Sequence, residues 1–305
     1  MHNEPLLARS SCLTQFLMLL AIIIASLLIT AFIGVLIALP FYGTGILETL
    51  KGGSVLTHAD NLDVLKFFQI VNQIGVFIVP PIVFALLVSR RIWAYLGLVR
   101  PPRFYTWLAG SALVLFSLPF LHWLGEVNEM IRLPEFLAGV ERWMQQSEVR
   151  ARELTEAFVD VDTFGGLMVN VVMIALLPAV GEELLFRGAL LRIFRDWSNS
   201  AHFAVVITAV LFSALHMQFY GFLPRMVLGV FLGYMFVWSG SLWVPIIVHF
   251  VNNVVAVMII FFMNRAGKEM EVEDIGASSS MFVIILSLLL VISLILFIYA
   301  NERRK

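Results

Sequence analysis

Charge and cysteine are what this chain has least of. Of its 305 residues, 13% are charged and one, Cys12, is a cysteine. A single thiol excludes an intramolecular disulfide, and with it a disulfide-stapled exterior domain. Cys12 is read as incidental, because no apolar stretch precedes it as a lipoprotein signal requires. A formal net charge of −1 gives no electrostatic case for nucleic acid as a partner. The sequence has no His-Glu-x-x-His run, no Ser-His-Asp arrangement and no candidate cysteine nucleophile among its apolar segments. Internal repeats and low-complexity linkers are missing too, so one domain over 1–305 is expected.

What is abundant is apolar sequence. Hydrophobic residues make up 60% of the chain, against roughly 45–50% in a soluble domain, where about 25% are charged. So much apolar surface cannot all be buried inside a chain of this length, and lipid must cover the rest. Backbone groups in lipid are satisfied only within helices or closed barrels, and long continuous apolar runs select helices. The expected fold is therefore all-α: a polytopic transmembrane bundle of about eight helices with an amphipathic connecting segment. The spans fall near 13–40, 64–88, 104–124, 164–190, 201–219, 224–239, 243–263 and 280–299, the fifth and sixth being short. The first run is too long for a cleaved signal peptide.

Basic residues near helix ends set the orientation. Arg90, Arg91, Arg100, Arg103, Arg192, Arg195 and the terminal Arg303-Arg304-Lys305 fall on one side of an eight-helix topology. That side is expected to be cytoplasmic, with both termini there, in a plasma membrane. The 125–162 connection lies opposite. It holds Glu126, Glu129, Glu135, Glu141, Glu148, Glu153 and Asp160, offset by Arg132, Arg142, Arg150 and Arg152. Its interleaved Leu, Phe and Trp predict an amphipathic helix on the membrane surface.

Ionisable groups inside a membrane are costly and face a cavity or one another. Here they gather in the second half: Glu182, Glu183 and Arg187 on the fourth span, His216 on the fifth, His249, Asn252 and Asn253 on the seventh. Glu183 and Arg187, at i and i+4, share a face and form a structural ion pair. Glu182 is turned about 100° away. Unpaired, beside a like charge and in low dielectric, it has the setting of a general base. His249 and Asn253 repeat the i, i+4 spacing, as do Phe212 and His216. At 1.5 Å per residue, Glu182 lies about 15 Å from Arg192 and His216 about 24 Å from Ser200. They meet in one cavity, reached from the cytoplasmic side, if the fifth helix starts late or tilts. Pro178 is a candidate kink shaping that cavity. His122 and His202, near helix ends, are read as packing residues, and Gln69, Asn72 and Gln73 as interhelical hydrogen-bonding groups.

Glu182-Glu183-x-x-x-Arg187, Phe212-x-x-x-His216 and His249-x-x-x-Asn253 resemble, in order and spacing, the signature of an intramembrane protease family. That family is the CAAX prenyl endopeptidase type II and bacteriocin-processing (CPBP, or Abi) family. The resemblance covers roughly 165–260, and Trp93-Ala94-Tyr95-Leu96-Gly97-Leu98 looks like the stretch that often precedes its core. It implies that Glu182, assisted by His216, activates a water to attack a peptide carbonyl. His249 and Asn253 would stabilise the oxyanion, while Glu183, Arg187 and Phe212 support them. The implied substrate is a membrane-associated peptide or protein, possibly lipidated, met in the bilayer. No cofactor is expected. Zinc is the alternative, with His216, His249 and Glu182 as its ligands and a fourth position open, but an amide is a poor zinc ligand and Asn253 suits an oxyanion better. Two other functions fit the polar cluster: a non-cleaving immunity or scaffold protein, and a proton-coupled transporter, against which the lack of repeats counts. Nothing in the pattern specifies an oligomeric state.

Overall fold

The computed structural model describes residues 4–43, 62–268 and 270–303, and the side chain of Glu273 is outside that description. Arg304 and Lys305 of the terminal basic cluster therefore lie outside the described residues. Among the described residues there are ten helices, two short 3-10 turns (Glu135–Leu137 and Val272–Asp274) and no strand. The helices are α1 (Cys12–Tyr42), α2 (62–88), α3 (Ile92–Leu96), α4 (Phe104–Glu129), α5 (Ala138–Val159), α6 (164–198), α7 (Ala201–Leu215), α8 (Phe222–Ser239), α9 (Trp243–Arg265) and α10 (Met281–Arg303). Seven of these (α1, α2, α4, α6, α8, α9 and α10) are long and apolar enough to cross a membrane. The chain is an integral, multi-pass membrane protein.

The fifth expected span, 201–219, is shorter still than the sequence suggests. α7 stops at Leu215, so its 15 residues rise about 22 Å, less than a hydrocarbon core of about 30 Å. The chain turns there because Met217 takes a left-handed φ of 54° and the following loop finds other partners. Asn128, at the end of α4, donates to the Phe219 carbonyl at 2.8 Å and accepts from the Leu223 N–H at 2.9 Å. Glu148 of α5 accepts from the Tyr220 N–H at 3.2 Å. The 125–162 connection does hold the expected amphipathic helix, α5, and its buried face includes Glu148 and Phe158.

α6 is the axis of the bundle. Every residue from Gly181 to Leu191 is buried, the mark of a helix surrounded on all sides. Leu185, Phe186 and Leu190 pack with Leu19 of α1, Phe84 of α2 and Phe212 of α7. Leu184 and Leu191 pack with Ala85 of α2, Leu96 of α3, Val205 of α7, Phe236 of α8 and Ile246 of α9. A further core joins α4, α8, α9 and α10 through Leu113, Leu232, Val248 and Val291.

Prolines mark where the helices give way. Pro80 and Pro81 in α2 and Pro178 in α6 each follow a π-helical turn, 74–78 and 171–176. A proline removes one N–H and crowds the preceding turn, and a π turn relieves the crowding. Pro119 in α4 is accommodated differently. Ser287 of α10 inserts its hydroxyl beside it, donating to Phe116 O at 2.6 Å and accepting from Phe120 N at 3.3 Å.

The arginine-rich end is well closed. α3 docks on the α8–α9 turn: the Leu242 N–H donates to Gly97 O at 2.9 Å, and the Trp243 indole to Leu98 O at 2.9 Å. Arg192 lies over the Tyr95 ring at 5.2 Å. Burial pushes the Tyr95 hydroxyl up to about 12, which keeps it neutral beneath that cation. The start of α1 and the end of α10 share this end, tied by Leu7 N–H to Leu87 O at 2.8 Å and by Arg103 Nη1 to Asn301 O at 3.1 Å.

Candidate active site

Three helices bring the polar residues together. α6 supplies Glu182, Glu183 and Arg187, α7 supplies Phe212 with His216 at its end, and α9 supplies His249 and Asn253. Glu183 and Arg187 form the expected pair, with Nη1 donating to Glu183 Oε1 at 2.8 Å, and both are fully buried. A second π turn, 184–190, carries Arg187. Its Nη2 donates to the Gly229 carbonyl of α8 at 2.8 Å, and its guanidinium lies 5.0 Å from the centre of the Phe212 ring, a cation–π contact.

The pair is not self-contained, as spacing alone suggested. His249 Nδ1 also faces Glu183 Oε1, at 2.9 Å, while its Nε2 is 3.9 Å from Glu182 Oε2. Glu183 can only accept, so Nδ1 carries the proton between them, and Nε2 is the nitrogen turned to Glu182. Two carboxylates against one guanidinium give the cluster a formal charge of −1 with a neutral imidazole and zero with an imidazolium. Glu182 is 5% exposed, and its Oε2 has no hydrogen-bond partner among the described residues.

Phe212 is the hub. Its ring sits 5.0 Å from the His216 ring, 5.9 Å from that of His249 and 5.3 Å from that of Phe186. His216 caps the C-terminus of α7 rather than lying within it, and its Nδ1 pairs with the Phe212 carbonyl at 2.8 Å. Glu182, His249 and Arg225 are its electrostatic neighbours.

Asn253 has structural partners that its spacing did not announce. Its Nδ2 donates to the Ile174 carbonyl at 3.2 Å, and its Oδ1 accepts from Asn252 at 3.0 Å. The reason is local. The N–H that would take the Ile174 carbonyl in an α-helix belongs to residue 178, a proline without one. Pro178 thus frees a carbonyl that Asn253 satisfies, and one amide hydrogen of Asn253 remains.

Sequence reasoning passed over Gly229, whose carbonyl holds Arg187. A Cβ there would lie 3.1 Å from Ala209 Cα, so only glycine lets α8 approach α7 this closely. The signal was present in Gly229-x-x-x-Gly233, a small-residue spacing for close helix packing. Of the packing candidates, His202 pairs with the Tyr234 hydroxyl at 2.8 Å, and His122 Nδ1 stands 4.0 Å from Glu126. Gln73 is buried with its Oε1 unpartnered among the described residues.

Among the described residues no group of three His, Cys, Asp or Glu side chains converges as a metal ion requires. His249 engages Nδ1 with Glu183 and His216 engages Nδ1 with a backbone carbonyl.

Residues 164–255, which carry all of these groups, match one family model. It describes the type II CAAX prenyl endopeptidases, Rce1-like. The match accords with the CPBP resemblance of the three motifs and covers the Rce1-like segment from the start of α6 into α9. A curated relative, the uncharacterized protein YpbD of Bacillus subtilis (strain 168), is 30% identical over 90 residues. That alignment takes in 28% of this chain and 43% of the relative, so the chain spans less than half the length of the protein it matches. No solved structure matches.

Proposed function

We propose that the chain is an intramembrane endopeptidase that hydrolyses a peptide bond of a membrane-associated, CAAX-like or otherwise lipidated polypeptide by a glutamate-activated water. The observation that carries this reading is Glu182: a buried carboxylate whose Oε2 has no hydrogen-bond partner among the described residues, beside an arginine already committed to Glu183. Burying an uncommitted carboxylate is costly, and a use as general base accounts for the cost.

Glu182 takes a proton from a water as that water attacks the scissile carbonyl, and His216 orients the water and relays the proton to the leaving amine. His249, as the imidazolium with a proton on each nitrogen, donates its Nε2–H to the developing oxyanion, and Asn253 donates its remaining amide hydrogen. Glu183 fixes the His249 ring, Arg187 fixes Glu183, and Gly229 and Phe212 fix Arg187. The mechanism uses no metal. The poor convergence of the donor set supports that choice. We place the protein in the plasma membrane with both termini cytoplasmic, on the side of the arginines.

The test is cleavage of a membrane-tethered peptide library by the purified, reconstituted chain beside Glu182→Gln and His249→Ala. Loss of a general base lowers the rate by about 10²–10⁴-fold, so Glu182→Gln should cleave at the background rate while remaining folded. Activity indifferent to a strong zinc chelator supports the metal-free mechanism. Activity abolished by chelator and restored by zinc overturns it. No cleavage by the folded wild-type chain would overturn the protease reading in favour of a non-cleaving immunity or scaffold role.

A further inference from the structure

A buried carboxylate serves hydrolysis only if a polypeptide reaches it, and the two ends of the bundle offer different routes. Towards the arginine-rich end the way is filled. Residues 184–191 of α6 are all buried, and a Cβ on Gly188 would already lie 3.1 Å from Leu96 and 3.7 Å from Leu242. The docked α3 seals the same end.

Towards the opposite end, exposure rises step by step. Glu183 and Arg187 are fully buried and Glu182 and His249 nearly so, whereas His216 and Asn253 are half-buried. The loop that follows His216 forms, through Tyr220 and Gly221, one wall of a cavity of about 760 Å³. Arg225, an electrostatic neighbour of His216, stands on that wall. Facing it are Glu129 of α4 and Glu148 of α5. A lining this rich in charged and hydrogen-bonding groups is no bed for an isoprenoid chain. It matches the water-soluble part of a peptide, which needs partners for its own backbone.

We infer that Glu182 is served from the end of the bundle covered by α5, with this cavity as the vestibule that receives the polar segment of a polypeptide substrate. The inference rests on the protease reading, and it replaces the expectation of entry from the arginine-rich side.

Single cysteines in a Cys12→Ser chain test it. His216→Cys and Tyr220→Cys report on the proposed route, and Arg100→Cys marks the arginine-rich end. Each full-length variant is treated in sealed membrane vesicles of either orientation with a charged, membrane-impermeant maleimide. His216→Cys should label together with Tyr220→Cys, from the face opposite Arg100→Cys, with labelling lost from the other face. Labelling of His216→Cys from the Arg100→Cys face overturns the inference, as does protection from both faces. Should His216→Cys fail to accumulate, Gln218→Cys on the same loop gives the same reading. Labelling does not depend on hydrolysis. Cleavage is read on the unsubstituted chain: labelling as inferred with no cleavage by that chain loses the protease reading alone, and cleavage by it with labelling from the arginine side loses the route alone.

Discussion

α6 and α10 put apolar sequence to opposite uses. The most apolar stretch of α10 is 22% buried and that of α1 only 11%, against 39% for the less hydropathic α6. In water the greasiest segment seeks the interior. In a bilayer lipid is as good a partner as a neighbouring helix, so the greasiest helices stay at the rim and the interior goes to those with something polar to hide. α1 shows this with Leu28 65% exposed and Ile24 60% exposed. α6 shows the reverse, with Arg187 at 0%.

The contrast makes graded predictions. Arg187→Ala should be the most damaging change, because it strands the buried Glu183 charge. Removing one partner of a buried pair costs about 3–5 kcal/mol, visible as loss of folded protein in thermal unfolding. Gly229→Val comes next: its Cβ would press on Ala209 Cα, and overpacking of this kind costs about 1–3 kcal/mol. It should also displace the carbonyl that Arg187 uses. Asn253→Ala orphans the Ile174 carbonyl, at about 1–3 kcal/mol. Most of that loss should disappear in a Pro178→Ala background, where a backbone N–H can return, so the two changes are not additive. Leu28→Ala on α1 should change stability by less than about 0.5 kcal/mol. A larger effect there would mean that the rim helix has a protein neighbour rather than lipid.

How far the sequence carried the fold depended on the range of the forces involved. Spans are set by apolar length, a local property, so seven of the eight were legible to within a few residues at most ends. α7 was not, because Leu215, Met217 and Phe219 continue the apolar run. What ends the helix is a set of contacts from Asn128 and Glu148, roughly 70 to 95 residues earlier in the chain. The Glu183–Arg187 pair was legible because i, i+4 neighbours meet within one helix. The bond from His249 to Glu183 crosses between helices 66 residues apart, and no spacing announces it. The bond from Asn253 to Ile174 was hidden for a related reason: the partner is a backbone carbonyl, which every residue has.

The two π turns of α6 have a consequence for anyone redesigning or aligning this region. Each is in effect one extra residue accommodated without a break, so the compass bearing of every later side chain is rotated from the one an ideal wheel assigns. A wheel drawn from Phe164 onward would misplace Glu182 and err further at Arg192. Excising a single residue from 171–176 should turn the π turn into an α turn and leave both glutamates and the arginine facing as they do. The same excision from an α-helical stretch of α6 would turn all three away from their partners at once, giving a folded, fully helical protein whose machinery points at the wrong neighbour.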